Sequence, residues 1–583
     1  MAGALSEPGQ GGAARSVLPA HAAILTVALL LMAPVLRAPT TRAIGRQCSE
    51  APAHLWGLWV AAEGLFDNGP LVRHADVGFP AQFTHHLIDP AHLLVFAPVL
   101  TLFGGGAAAA TLAWNVLHLA AVVGGGLGCV ALGRRLGLLG YSLAIFTTVF
   151  IGSPAVLHHP EMGRSEYLPA LALPWVLAWT WDAMKDPAPT RPALAAGVLL
   201  GLMASSGPTL ALFTAPVVGV LALVWSRTAP TPRRVGTLAM IAIPGLAGAA
   251  VALGAMLTWP PPQAAAMLSG QPRELVSSMD LASLVHLGPP MRDLEHTLYI
   301  GIFTLALALL GLVRAPRRML PWALLATLLV ALGVGPSPTL LGQPLAGPDR
   351  LLTWAIPSLH AVSGWPRAAW VAALPLGVCA AIGATHLGRA LRWLGPLLVV
   401  ALLTDHASWP PPREGQRADA HFEVAAPDEL ITLSATLPQG PLFTLPARTP
   451  ATGVRCAYDG PWLLWAQTLR RPVSANQGRP SDGLDGQGWM ASRLIRNPER
   501  LARDLRRSRA LTHCVPEQLQ ILQSTGVVAI VVDERLPRGG PSHRALEMLL
   551  GPPTHHQGAV SAWKLHGLKP TAGPDGPPAV CPN

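Results

Sequence analysis

Charge is what this chain has least of. Only 12% of its 583 residues are charged, while 51% are hydrophobic. A soluble protein carries roughly twice that charged share, so an all-soluble globule is excluded. Cysteine is also sparse: the six have no CxxC or zinc-type spacing, which excludes a zinc ribbon or a dithiol redox motif. The sequence has no GxxxxGK[ST] phosphate loop, no HExxH and no GxSxG elbow, which sets aside the enzyme classes those motifs serve. The net charge of +10 would suit nucleic acid, yet no stripe of basic and aromatic residues accompanies it. The arginines cluster in short connectors between apolar runs, so nucleic acid is not expected as a partner.

Long apolar runs are what is present. Read in windows of about 17–25 residues, they predict spans at 17–36, 107–132, 136–155, 168–181, 192–205, 210–225, 235–257, 298–313, 319–335, 368–385 and 393–403. That makes a polytopic α-helical bundle of about eleven transmembrane helices. Arg37, Arg42 and Arg46 follow the first run where a small-residue cleavage site would stand, so it is expected to remain as a first helix after a cytoplasmic tail, 1–16. The run 91–103 is too short for a full crossing and predicts a half-inserted piece. Residues 52–66 predict an interfacial helix anchored by Trp56 and Trp59. Arg134 and Arg135, Lys185 with Arg191, Arg227 with Arg233 and Arg234, Arg314 with Arg317 and Arg318, and Arg389 with Arg392 fill every second connector. This alternation assigns those connectors to the cytoplasm and the loop 38–90 to the far face.

From 405 the character changes. TDHASWPPPREG opens a Pro-rich linker, expected over 405–440. Short β-like runs at 441–446, 527–532 and 559–565, with helix-like 498–509 and 517–525 between them, predict an extracytoplasmic α/β domain over 441–566 before a loose tail, 567–583. Cys456 and Cys514 lie inside it, where an oxidising compartment permits a disulfide; Cys48 and Cys581 offer a second pairing. Cys129 and Cys379 fall in apolar helices and are expected to be small buried hydrophobes.

The chemistry-bearing residues concentrate in EGLFDNGPLVRHADVGFPAQFTHHLIDP, within the loop 38–90. A transferase at the membrane surface must deprotonate an acceptor hydroxyl and manage a phosphate leaving group. A carboxylate suits the first task; a basic side chain or a carboxylate-held divalent cation suits the second. Asp76, beside Arg73 and His74, is the first candidate, with Asp67 and Glu63 behind it. His85, His86, His158 and His159 offer metal ligands at an unspecific spacing. On the same face, HHPEMGRSEYLP carries Glu161, Arg164 and Glu166, and GPDRLLTW and SGWPRAAW carry Arg350 and Arg367 as further phosphate clamps. Each also has a plain structural account: loop charges, helix caps, a local Glu–Arg pair or interface snorkelling. Asn115 and His118, polar groups inside a span, are expected to face the bundle as helix–helix glue. Gly104–Gly106 and Gly124–Gly126 are expected to serve helix packing rather than a nucleotide.

This layout resembles the GT-C superfamily: membrane-embedded glycosyltransferases that use polyprenyl-phosphate-linked sugars. GPLVRHADVGFP with LIDPAHLLVFAPV, HHPEMGRSEYLPALALPW, SGWPRAAW and the tail run GPLFTLPA to LQSTGVVAIVVDE are similar to bacterial membrane proteins of the YfhO-like kind. The resemblance implies a catalytic acid on the first outer loop, which by position is Asp76 or Asp67; the adjacent acidic pair of stronger GT-C signatures is not present. It further implies sugar transfer from a polyprenyl-phosphate-linked donor to an envelope glycan, lipid or protein, in a bacterial inner membrane, with the C-terminal domain periplasmic or extracellular. Two rival readings are a non-catalytic envelope-assembly or docking protein and a transporter of lipid-linked substrate. Ionisable residues inside the spans are few, which disfavours the transporter.

Overall fold

A computed structural model describes residues 10–46, 51–64, 73–74, 83–84, 90–158, 165–185, 189–206, 208–226, 231–257, 299–334, 339–340, 343–345, 367–407, 421–445, 460–469, 515–536 and 539–565, with 471, 473, 494, 498, 500, 501 and 503 singly. The helices, in chain order, are α1 (Gln10–Met32), α2 (Ala51–Glu63), α3 (Pro90–Leu102), α4 (Gly106–Arg135), α5 (Tyr141–Ile151), α6 (Pro154–His158), α7 (Leu173–Lys185), α8 (Thr190–Ser206), α9 (Pro208–Trp225) and α10 (Thr231–Leu257). They continue with α11 (Ile302–Arg314), α12 (Pro316–Gly333), α13 (Arg367–Thr385) and α14 (Leu391–Ala407), and in the tail α15 (Asp428–Thr436), α16 (Gly460–Leu469), α17 (Val515–Ser524) and α18 (Gly539–Leu550). A 3-10 helix, Ser165–Ala172, runs straight into α7.

Each apolar run expected to span falls on a helix. Among the described residues, three helices are by length and hydropathy sufficient to cross a membrane, Gly106–Arg135, Arg234–Val251 and Arg367–Thr385, and several shorter apolar helices join them. The bundle's outer surface is apolar: Ile243 and Leu246 on α10 are 63% and 69% exposed. An aqueous surface seldom carries such a continuous coat of large aliphatic side chains, whereas lipid accepts it. Close packing inside uses small residues. Gly197 and Gly201, a GxxxG pair on α8, face α10; a Cβ on Gly201 would lie 2.5 Å from the Pro244 carbonyl oxygen, so side chains there would push the helices apart. Gly125 and Gly126 serve the same end on α4, against Leu171 and Ile24, as expected. Gly104, Gly105 and Gly106 instead hold the left-handed turn that folds α3 back onto α4 (φ +80°, +74° and +76°). At 13 residues, α3 is about 20 Å long, too short to cross, as its sequence suggested.

Two strands join the ends of the chain. β1 (Arg42–Ile44), just after α1, pairs antiparallel with β6 (His421–Glu423), just after α14, with Arg42 opposite Glu423 and Ala43 opposite Phe422. The loop after the first helix and the start of the tail therefore share one face. β1 is also clasped from below by α4. Asn115 accepts the Ile44 N–H (3.0 Å) and donates to the carbonyls of Pro39 (2.9 Å) and Arg42 (2.8 Å). The Trp114 indole donates to the Ile44 carbonyl at 2.8 Å. Asn115 thus binds loop backbone rather than another helix, because its amide satisfies one N–H and two carbonyls beside an apolar bundle.

The tail holds a four-stranded sheet in the order β7 (Leu442–Leu445), β8 (Ala529–Asp533), β10 (Val560–Lys564), β9 (His555–Gln557). β7 and β8 are parallel, the other pairs antiparallel. The three strands expected at 441–446, 527–532 and 559–565 are all present. The sheet is buried on both faces. Leu442, Ala529, Val531, Val560 and Ala562 extend the bundle's own core, while Phe443, Ile530, Val532 and Trp563 form a second core with α17 and α18. Within 405–440, expected as a linker, lie the last turn of α14, β6 and α15. Buried Arg471 secures that segment, donating to the Ser434 carbonyl (2.9 Å) at the end of α15 and to the Gly440 carbonyl (3.0 Å) before β7. Burial lowers its pKa, and carbonyls at a helix C-terminus suit a cation.

Two outcomes follow from the clasp. Asn115→Leu strands one N–H and two carbonyls, and should cost the full-length protein about 2–4 kcal/mol, read as a lowered melting temperature in detergent; a curve superimposable on wild type would count against it. In a background stripped of native cysteines, Arg42→Cys with Glu423→Cys should cross-link under mild oxidation, while either single substitution should not. Failure to cross-link would break the shared face of loop and tail.

Candidate functional site

The face carrying β1 and β6 is where the expected site belongs, and α4 sets its floor. The His118 Nδ1 lies 2.9 Å from the Trp114 carbonyl. That oxygen can only accept, so Nδ1 carries the proton and Nε2 the lone pair. Nε2 is buried and meets no hydrogen-bond partner among the described residues. His92, almost fully buried in the first turn of α3, is its titratable neighbour. The first turn of α3 is tied down by α8, whose Ser206 hydroxyl accepts the Ala91 N–H at 3.0 Å. Pro90 opens α3, as the sequence suggested.

α2 lies above this floor, between α3 and α16. Trp56 and Trp59 are buried, at 0% and 3% exposure. This corrects the expectation that they anchor an interfacial helix: protein, including the tail's α16, covers the indoles. The Trp59 indole donates to Glu63 at 2.6 Å, one turn on. One oxygen of the Glu63 carboxylate is therefore engaged within its own helix, although the side chain is exposed.

Of the other expected residues, Arg73 and His74 lie on strand β2 (Arg73–His74), paired with β3 (Phe83–Thr84). Glu166 falls in the first turn of the 3-10 helix. Leu171 packs on Gly125 and Asp182 pairs with Arg135, so this segment and α7 run parallel to α4. Glu166 therefore sits toward the His118 end of α4. Arg367 opens α13, with Ala369 against Gly333 and Gly377 against Phe146 and Val149 of α5. That places it at the end where α5 finishes and α14 leads out to β6. Asp67, Asp76, Glu161, Arg164 and Arg350 lie outside the described residues, as do Asp89, His85, His86, His159 and the four remaining cysteines. Among the described residues, no three His, Cys, Asp or Glu gather to hold a metal ion. Cys129 and Cys379 are buried and free, as expected.

One polar cluster on this face was not foreseen. His406, fully buried in the last turn of α14, reaches the Gly152 carbonyl with Nδ1 (3.0 Å) and the Ile300 carbonyl with Nε2 (3.1 Å). The Tyr299 hydroxyl donates to its neighbour Asp405. Gly301 makes room: at φ +95°, a Cβ there would stand 2.6 Å from His406 Nε2. The cluster binds the ends of α5, α11 and α14 where the tail departs. A His-Asp pair closing an otherwise apolar helix was its sequence signal. In the tail, Arg535 forks onto buried Asp533 (2.9 and 2.8 Å) and reaches Glu429 at 3.2 Å. Backbone hydrogen bonding and this arginine hold the exposed Glu429 carboxyl below its usual value, while the carboxylates raise the guanidinium's.

No family model matches the chain, and no curated protein does. Solved structures do. The arabinofuranosyltransferase AftD from Mycobacteria aligns over 94% of this chain at 15% identity with a TM-score of 0.54, and a single-residue mutant of it aligns over 94% at 16% identity and 0.56. The oligosaccharyltransferase of Archaeoglobus fulgidus aligns over 91% of this chain and 71% of its own, at 12% identity and 0.47. The chain spans only 40–42% of the AftD chains it matches. What it shares with AftD is the fold alone.

Proposed function

We propose that this protein transfers a sugar from a polyprenyl-phosphate-linked donor to an envelope glycan, lipid or protein at the face bearing β1 and β6. The observation that carries the reading is the likeness to AftD over nearly the whole chain. The loop 38–90 supports it, since that loop is clasped on one face by Asn115 and paired there with the tail.

In this reading the acceptor hydroxyl gives its proton to a loop carboxylate as its oxygen bonds the anomeric carbon. The bond from that carbon to the phosphate oxygen breaks, and polyprenyl phosphate leaves with the electron pair. Asp76 is the base or the ligand of a divalent cation, with Asp67 next. Glu63 ranks last because Trp59 already engages its carboxylate. Arg73 and His74 stand beside Asp76 in sequence. Arg164 or Arg367 meets the donor phosphate, where a planar fork holds two oxygens at once, and Glu161, Glu166 and Arg350 complete the pocket wall. The site lies in a bacterial inner membrane with the tail domain outside the cytoplasm.

The purified full-length protein in liposomes, offered a panel of polyprenyl-phosphate-linked sugars together with an envelope-glycan or lipid acceptor, should release polyprenyl phosphate. Asp76→Asn should reduce release by at least about a hundredfold, the lower range for a general base, with melting temperature unchanged. Full activity in that variant removes Asp76 from the mechanism. If Asp67, Asp76 and Glu63 can be replaced together without loss of any cellular phenotype, the protein is a docking component and not an enzyme.

A further inference from the structure

The opposite end of α4 carries a feature that glycosyl transfer does not use. Arg135 forks onto Asp182 of α7, with Nε–Oδ1 at 2.7 Å, and so neutralises that carboxylate. Beside the pair, the end of α7 and the start of α8 line a groove of about 710 Å³, with Trp179, Asp182, Lys185, Arg191, Pro192 and Ala195 as its walls. That size falls within the roughly 300–1,000 Å³ of small-ligand sites. Lys185 and Arg191 are both exposed, and no described acid pairs with either. Lys185 stands 5.4 Å from the centre of the Trp181 ring, which itself meets Trp225 at 5.0 Å. Arg191 is the second residue of α8, where a cation opposes the dipole unless an anion sits close. Among the described residues the groove thus holds two cations without an acidic partner, and its one acid, Asp182, is paired with Arg135.

Below the groove the surface turns apolar. Leu194 and Val198 follow Arg191 along one face of α8, at the i, i+3, i+7 spacing, and are 50% and 48% exposed. A basic head site, a tryptophan collar and an apolar stripe running from the head site match the parts of a phospholipid in order. A water-soluble phosphate would have no use for the stripe. Arg135 lies twenty positions beyond Asn115 on α4, about 30 Å along a helix. The groove is therefore one hydrocarbon thickness away from the β1 face, at the other surface of the bilayer.

We propose that this groove is a specific site for an anionic two-chain glycerophospholipid, its phosphate between Lys185 and Arg191 and one acyl chain along Leu194 and Val198. The site is independent of the transfer reaction and of its donor, which belong to the opposite face.

Native mass spectrometry of the full-length protein in detergent tests this, with phosphatidylglycerol, phosphatidylcholine and glycerol 3-phosphate as probes. Phosphatidylglycerol should bind in preference to phosphatidylcholine, and excess glycerol 3-phosphate should not displace it. Lys185→Gln with Arg191→Gln should weaken phosphatidylglycerol roughly thirtyfold, at about fivefold per cation. Arg389→Gln with Arg392→Gln, a basic connector elsewhere, should leave it within twofold. If the double variant fails to fold, Lys185→Gln alone should still show about a fivefold loss. Equal weakening by both pairs would show diffuse surface charge and overturn the site. Retention in the groove variant, equal binding of phosphatidylcholine, or displacement by glycerol 3-phosphate would each overturn it as well.

Discussion

α4 is fastened by polar contacts at two levels, and the rest of the arrangement depends on that spacing. At one level, Asn115 holds the loop after α1 through three backbone hydrogen bonds. Twenty residues on, Arg135 holds Asp182 of α7. The separation, about 30 Å along the helix, equals the hydrocarbon thickness of a bilayer. Polar groups are costly between those levels and are satisfied at them. One helix therefore defines two surfaces. One carries β1, the tail and the expected transfer chemistry; the other carries the basic connectors and the tryptophans beside them.

The described part of the tail packs on the bundle. β6 pairs with β1, α16 packs on α2, and one face of the tail sheet continues the bundle's core. Burying a tryptophan removes some 150–250 Å² from water, worth roughly 4–6 kcal/mol at 25 cal/mol per Å². Trp56, Trp59, Trp462 and Trp465 are all buried where α2 meets its neighbours or in α16. That scale of apolar burial outweighs the few strand hydrogen bonds, each of about 1 kcal/mol net. The pairing of β1 with β6 sets the register of loop and tail; apolar burial supplies most of the adhesion. A loop held in this way is preorganised for chemistry at a membrane surface, because the ordering cost is met on folding.

Some buried polar groups act as clamps and others have no partner among the described residues. Asn115 and Arg471 each satisfy several backbone groups, and His406 stands between the Gly152 and Ile300 carbonyls of different segments. Their role is to close helix ends and loops that cannot be solvated. His118 is of the second kind: its Nε2 is buried and no described residue partners it, as with the Thr148 and Thr180 hydroxyls. A lone pair left so costs about 1–3 kcal/mol, and it lies on the floor beneath the expected transfer face.

Much of this was legible in the residues alone. Hydropathy marked every helix of the bundle, because an apolar run of that length has few other stable forms in lipid. Short apolar, β-like runs marked the strands at 442–445, 529–533 and 560–564, because a sheet buried on both faces needs unbroken β-branched and apolar runs. Both signals are local, with periods of a few residues. What sequence could not assign was the partner of each polar group. Asn115 reads as helix glue until the loop is folded over it, and Trp56 reads as an interface anchor until α16 covers it. The Asp405–His406 pair reads as the start of a linker until Tyr299 and Gly152 arrive from distant segments. Composition and periodicity determined that this chain is a helical membrane bundle with an α/β tail; only tertiary structure decided that its first loop and its tail form one face. The pairing of Ala43 with Phe422 joins strands from opposite ends of the chain, and no short-range pattern encodes a contact of that span.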